Sequence, residues 1–210
     1  ALEFDKTALF ATRRFSGMDR AGDMNRLSAS ITNRFIHTDS GQQVTTGLAQ
    51  TIRLTPERLG LESDATIATQ SEATPVYASL LWEPNAAVDI QADVDWNVQY
   101  QHQQRVAFDA GLTQKTLDYR AHFEREWSLP TQELNKETAK LSFSNSTNQR
   151  IAVEDVKILT AGQWQEDILV SGFTPIAQRW GLSASIDYDV TADELTDSLL
   201  GIEYDSCCWN

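Results

Sequence analysis

Residues Val88–Tyr100 read VDIQADVDWNVQY, and this stretch decides the fold. Val88, Ile90, Ala92, Val94, Trp96, Val98 and Tyr100 fall in one phase, with Asp89, Gln91, Asp93, Asp95, Asn97 and Gln99 in the other. Successive side chains point to opposite faces in an extended chain, whereas a helix would spread these apolar residues around its whole circumference. The stretch is a strand with one apolar and one polar face. Trp180–Val190 repeats the pattern through Trp180, Leu182, Ala184, Ile186, Tyr188 and Val190. Leu27, Ala29, Ile31 and Phe35 do so near the start. Thr116–Trp127 follows through Leu117, Tyr119, Ala121, Phe123 and Trp127, with Arg125 the one residue out of keeping.

Weaker alternation predicts further strands at Gln43–Leu54, Val76–Glu83, Arg105–Leu112, Thr138–Ser144, Arg150–Leu159, Glu166–Phe173 and Ser198–Tyr204. The total is about eleven. Arg150–Leu159 alternates least cleanly. Short links rich in turn formers at His37–Gln42, Pro84–Ala87, Thr113–Lys115, Asn145–Gln149 and Pro175–Arg179 are expected to alternate with longer ones at Thr55–Pro75, Ser128–Glu137 and Thr160–Gln165. Gln101–Gln104 is short where a longer link is due. The expected fold is therefore all-β, an antiparallel up-and-down meander with one plain and one elaborated end. Residues 1–24 carry no clean alternation and read as a long loop.

Composition narrows the function classes. The chain has 210 residues and a net charge of −13, which argues against nucleic acid as a partner because phosphate binding needs a basic surface. Mean hydropathy is −0.39, and no window has the ~18 consecutive apolar residues of a membrane-spanning helix. A membrane β-barrel passes that test, since each barrel strand buries only alternate residues in lipid. The clearest strands match the ~9–11 residues that cross a bilayer at a tilt, and Trp82, Trp127, Trp180, Tyr100 and Tyr188 cluster toward strand ends as an aromatic girdle would. A soluble β-sandwich, or a lipocalin-like barrel acting as a binding module, shows the same alternation and stays open. Bacterial barrels of one chain have an even number of strands, and lipid cannot satisfy an open edge. Eleven strands are thus expected to be part of a larger barrel. The chain begins at Ala1 without a basic, apolar leader, so any secretory signal is expected to have been removed or not included.

Little in the sequence supports catalysis. His37, His102 and His122 have no metal-binding spacing, and neither a nucleophile elbow nor a Gly-rich phosphate loop occurs. Asp93 with Asp95, and Asp187 with Asp189, form i,i+2 carboxylate pairs suited to acid–base work or a cation, or simply to solvated charge facing a polar lumen. An outer-membrane hydrolase would need His102 or His122 beside a nucleophile. No catalytic, cofactor or metal residue is assigned, and no enzyme activity is expected. The expected facing puts Ile90, Val94, Trp96, Leu182, Ile186 and Tyr188 toward lipid, and Asp93, Asp95, Asp187 and Asp189 toward the lumen. Arg at Val94 should then be costly and Arg at Asp93 cheap.

The two cysteines, Cys207 and Cys208, are adjacent. Neighbouring Cα atoms lie ~3.8 Å apart, while disulfides usually want about 4.4–6.8 Å, so a bond between them would be strained. A free thiol pair or bonds to cysteines elsewhere remain. The blocks Pro175–Gly181, Asp187–Asp189 and Asp197–Trp209 (DSLLGIEYDSCCW) resemble the C-terminal part of the LptD family, and Phe15–Arg20 with Asn25 resembles another block of it. That resemblance implies a Gram-negative outer-membrane barrel that assembles lipopolysaccharide into the outer leaflet, plugged by the lipoprotein LptE and fed by a periplasmic bridge ending in LptA. It implies that residues 25–210 form a partial barrel lacking the N-terminal jellyroll, the first barrel half and the closing strands, with the lateral gate elsewhere. It also implies disulfides from Cys207 and Cys208 to cysteines outside this segment. If that pair is periplasmic, the short links lie on the periplasmic side too. Lipopolysaccharide is anionic, so Asp93, Asp95, Glu124 and Asp187 should repel it unless Arg105, Arg120 or divalent cations screen them.

Overall fold

A computed structural model describes residues 26–53, 75–98, 100–128 and 131–204. Eleven strands run in chain order: β1 (Arg26–Ile36), β2 (Gln43–Arg53), β3 (Val76–Asn85), β4 (Val88–Asn97), β5 (His102–Gln114), β6 (Leu117–Trp127), β7 (Leu134–Asn145), β8 (Arg150–Thr160), β9 (Gln163–Ala177), β10 (Trp180–Asp189) and β11 (Glu194–Tyr204). They form one antiparallel sheet in which spatial order equals sequence order. The expected meander and its strand number are both present. The expected loop at residues 1–24 lies outside the described residues, as do Cys207 and Cys208.

Several boundaries differ from expectation: β7 and β11 each begin four residues earlier, at Leu134 and Glu194, and three further differences have a local reason. The strand beginning at Val88 stops at Asn97, whose Oδ1 accepts a hydrogen bond from the Tyr100 backbone N–H at 3.1 Å. Gln101 adopts a left-handed φ of 50°, and β5 resumes at His102. Alternation alone carries Val98 and Tyr100 along with the strand, because a turn can begin on an apolar residue. The supposedly long link Thr160–Gln165 is a two-residue hairpin turn, with Ala161 at φ 52° and Gly162 at φ 81°. Positive φ at both central positions gives the turn whose twist matches its flanking strands. The short–long asymmetry of the links therefore fails at β8–β9. Finally, β9 runs on through Pro175, where a register shift against β10 tolerates a residue with no N–H to donate.

Side-chain burial is inverted relative to a water-soluble domain. Among the described residues the buried apolar side chains are Ala49, Tyr77 and Ala107, while Thr51, Asp93, Asp95, Asn97, Glu124 and Thr138 are buried and polar. Leu200 is 77% exposed, Leu141 66% and Phe35 63%. Register explains the split. One row runs Gly47, Ser79, Asp93, Ala107, Glu124, Thr138, Val156, Asp167 and Asp189 across β2–β10. The described residues form a single layer, so burial of Gly47, Asp93, Ala107, Glu124 and Thr138 in this row means that the sheet curls with this face inside. Ile90, Val94, Trp96, Leu182, Ile186 and Tyr188 lie on the opposite, outward face, by alternation with that row. So do the ring pairs Tyr119–Phe143 and Trp180–Tyr204, with centroids 5.3 and 4.7 Å apart, at the end of the sheet bearing the β5–β6 and β9–β10 turns.

Candidate functional site

The inward face carries the polar chemistry, and its centre is a ladder across β3–β7. Asp95 and Arg105 are direct partners in the β4–β5 register, and Ala107 faces Glu124 in the next pair. Arg105 donates from Nε to Glu124 at 2.5 Å, and its Nη1 lies 3.7 Å from Asp95. Asp93 accepts from the Tyr77 hydroxyl at 2.5 Å and from Gln91 Nε2 at 2.6 Å. Lys136 closes the far side, 2.9 Å from Glu126 and 3.9 Å from Glu124. Asp93 and Asp95 are only 4% and 5% exposed. The expectation of solvated lumenal charge is therefore wrong for this pair: concave crowding and the side chains of the two flanking strands, β3 and β5, bury it.

Toward the end of the sheet with the β3–β4 and β5–β6 turns, Arg120 reaches over β5 to Asp89 on β4 at 2.7 Å and also holds Asp118 at 3.2 Å. Gly111 makes that reach feasible, since a Cβ there would collide with the Arg120 guanidinium and with Asp89. A second notch lies on β10. A Cβ on Gly181 would strike the Phe173 ring, over which Arg150 sits at 4.8 Å. Both expected screening arginines are thus committed to carboxylates of the wall itself, and Lys140 is likewise paired with Glu154 at 2.7 Å.

The histidines do not assemble a catalytic set among the described residues. His122 Nδ1 lies 2.8 Å from Asp109, but no hydroxyl is hydrogen-bonded to the ring. His102 contacts its neighbour's carbonyl and packs edge-on to Trp127, while His37 meets Ser40 in the β1–β2 turn. Asp187 and Asp189 share the inward face with Asp167. No group of three or more His, Cys, Asp or Glu side chains is placed to hold a metal among the described residues. Sequence reading missed Tyr77, Gln91 and Lys136 as parts of the ladder. Their phase on β3, β4 and β7 puts them inward, but only the register shows which carboxylate each one meets.

The family model LptD, described as LPS transport system D, matches residues 1–122, more than half of the chain. The chain belongs to the LptD family. The LPS-assembly protein LptD of Pectobacterium atrosepticum is 23% identical over 99% of this chain and 24% of its own length. The Nitrosomonas europaea protein of the same name is 26% identical over 100% and 24%, and that of Aeromonas salmonicida 27% over 98% and 22%. This LptD-family chain thus spans about a quarter of the length of the curated relatives it matches. The alignments run past residue 122 through the ladder and β7–β11, so the likeness covers the whole described sheet.

Proposed function

We propose that this chain forms part of the wall of an outer-membrane barrel that delivers lipopolysaccharide to the outer leaflet. The single observation carrying this reading is the inverted burial: an outward face of exposed Phe, Leu, Ile and Trp suits hydrocarbon, and a crowded polar inward face suits a hydrated lumen. Family membership supplies the cargo. Transport of this kind asks the wall for a route across the membrane. A photo-reactive residue replacing Ser142, on the inward face of β7, is expected to capture lipopolysaccharide in cells making the full-length protein. Capture of none there, with capture at outward Val94 instead, would overturn the reading.

The resemblance also supplies two partners, LptE as the plug of the barrel and the LptA bridge, the latter acting through the N-terminal domain. It further supplies disulfides from Cys207 and Cys208 to cysteines elsewhere in the full-length protein. A bridge closing a loop of ~100 residues or more contributes up to about 4–5 kcal/mol in the chain-entropy model. With that pair in the periplasm, the turns at residues 86–87, 115–116 and 178–179 are periplasmic, and those at 100–101 and 161–162 face outside. In intact cells a membrane-impermeant thiol reagent should label Gly162→Cys and spare Lys115→Cys. Non-reducing peptide mapping of the same protein should show Cys207 and Cys208 linked to distant cysteines. Labelling of Lys115→Cys alone inverts the orientation, and free thiols at both native positions remove the disulfides.

A further inference from the structure

One row of the outward face breaks the apolar rule. Leu48, Ala78, Val94 and Val106 occupy it on β2–β5, and Arg125, Glu137, Lys157 and Glu166 continue it on β6–β9. Arg125 pairs with Glu137 at 2.6 Å and Lys157 with Glu166 at 3.2 Å. Asp155 adds a fifth charge, 3.9 Å from Lys157, with its Oδ1 buried and lacking a hydrogen-bond partner. Barrel strands tilt by ~35–45°, so a row perpendicular to them climbs through the bilayer as it crosses the sheet. The row therefore leaves the hydrocarbon somewhere near β6. The β9 strand, with 15 residues, is longer than the ~9–11 needed to span, and the charged positions lie near the end of the strands away from the periplasmic turns.

We infer that the strip Arg125–Glu137–Lys157–Glu166, with Asp155, is an exterior contact site for the phosphorylated glycolipid of the outer leaflet. The inference rests on the orientation and cargo of the proposed function but concerns a different surface from the transport route. Charges facing acyl chains are costly, and at the headgroup level that cost falls toward zero. Neighbouring strands hold alternating signs ~4.8 Å apart. A leaflet of phosphates bridged by divalent cations offers the same alternation. Arg125 and Lys157 meet phosphate oxygens, and the carboxylates, Asp155 included, meet the bridging cations. The Arg125 guanidinium lies over the Phe123 ring, 5.1 Å from its centroid.

The test titrates the full-length protein in detergent micelles with a bis-phosphorylated, acylated disaccharide and magnesium, and counts bound copies by native mass spectrometry. A variant with Arg125, Glu137, Lys157 and Glu166 all changed to Gln leaves none of those four charges unpaired. It is expected to bind one copy about tenfold more weakly, the scale of a lost charge-assisted contact. Lys157→Met alone serves if the fourfold variant does not fold, and the same loss is expected. Unchanged titration, or equal loss of phosphatidylethanolamine, overturns the inference. Unchanged titration together with capture of lipopolysaccharide at Ser142 leaves the transport reading standing. A weakened strip without capture at Ser142 overturns transport and retains the strip.

Discussion

Arg105→Ala should destabilise the full-length barrel by about 3–5 kcal/mol, the cost of leaving buried charge without its partner. Arg105 is the only cation within 4 Å of Asp95 among the described residues, and it donates directly to Glu124. Both carboxylates are almost wholly buried. Lys136 lies 3.9 Å from Glu124 and is already engaged by Glu126, so it compensates poorly. The measurement is the urea midpoint of the barrel folded into phosphatidylcholine vesicles, at constant m-value. Changing Arg105 to Met, Asp95 to Asn and Glu124 to Gln together should recover most of the loss, because the neutral set leaves no unpaired charge. A single-variant loss below about 1 kcal/mol, typical of an exposed ion pair, would show that this face is open to water and not crowded.

Val94→Arg should cost about 2–4 kcal/mol if its outward face meets the bilayer core. Val94 sits between Ala78 and Val106 in the outward row, with no carboxylate beside it there. The matched inward control is Ser142→Arg, expected to stay within about 0.5 kcal/mol. Asp93 no longer serves as that control, since an Arg there would displace the hydrogen bonds from Tyr77 and Gln91. Equal effects at 94 and 142 would mean that both faces meet water, and the membrane reading would fail.

The meander was legible because β-strands report themselves through a period of two, and Val88–Asn97 or Trp180–Asp189 keep that period without error. Turn positions were less legible. Alternation runs straight through Val98 and Tyr100, and nothing in the composition of Thr160–Gln165 separates a two-residue turn from a loop. The misfit at Arg125 lies where the outward face changes from apolar to charged. Arg150–Leu159 alternates unevenly because β8 mixes both faces: Asp155 and Lys157 share the outward face with Ile151 and Val153, while Val156 and Ile158 share the inward face with Glu154. The inward ladder was half visible. The phase of Asp93, Asp95 and Arg105 placed them on one face, but burial arises from sheet curvature and register, neither of which a single strand encodes. The same alternation suits soluble and membrane sheets, and the inversion of burial shows only when the strands are assembled.

Pairing in strict sequence order has a kinetic consequence. Every strand pairing among the described residues joins neighbours in sequence, so no strand there must wait for a distant partner, and loop closure is confined to the links. Two-residue turns join β3 to β4, β5 to β6, β8 to β9 and β9 to β10, and such hairpins close within ~1–10 μs. The β2–β3 link at residues 54–75 is the one long closure between described strands. Growth of the sheet can therefore pause there and resume, with β3–β11 zippering as one unit and the β1–β2 hairpin adding to its edge as another. Shortening that link should speed the joining of the two units while leaving the order of strands unchanged.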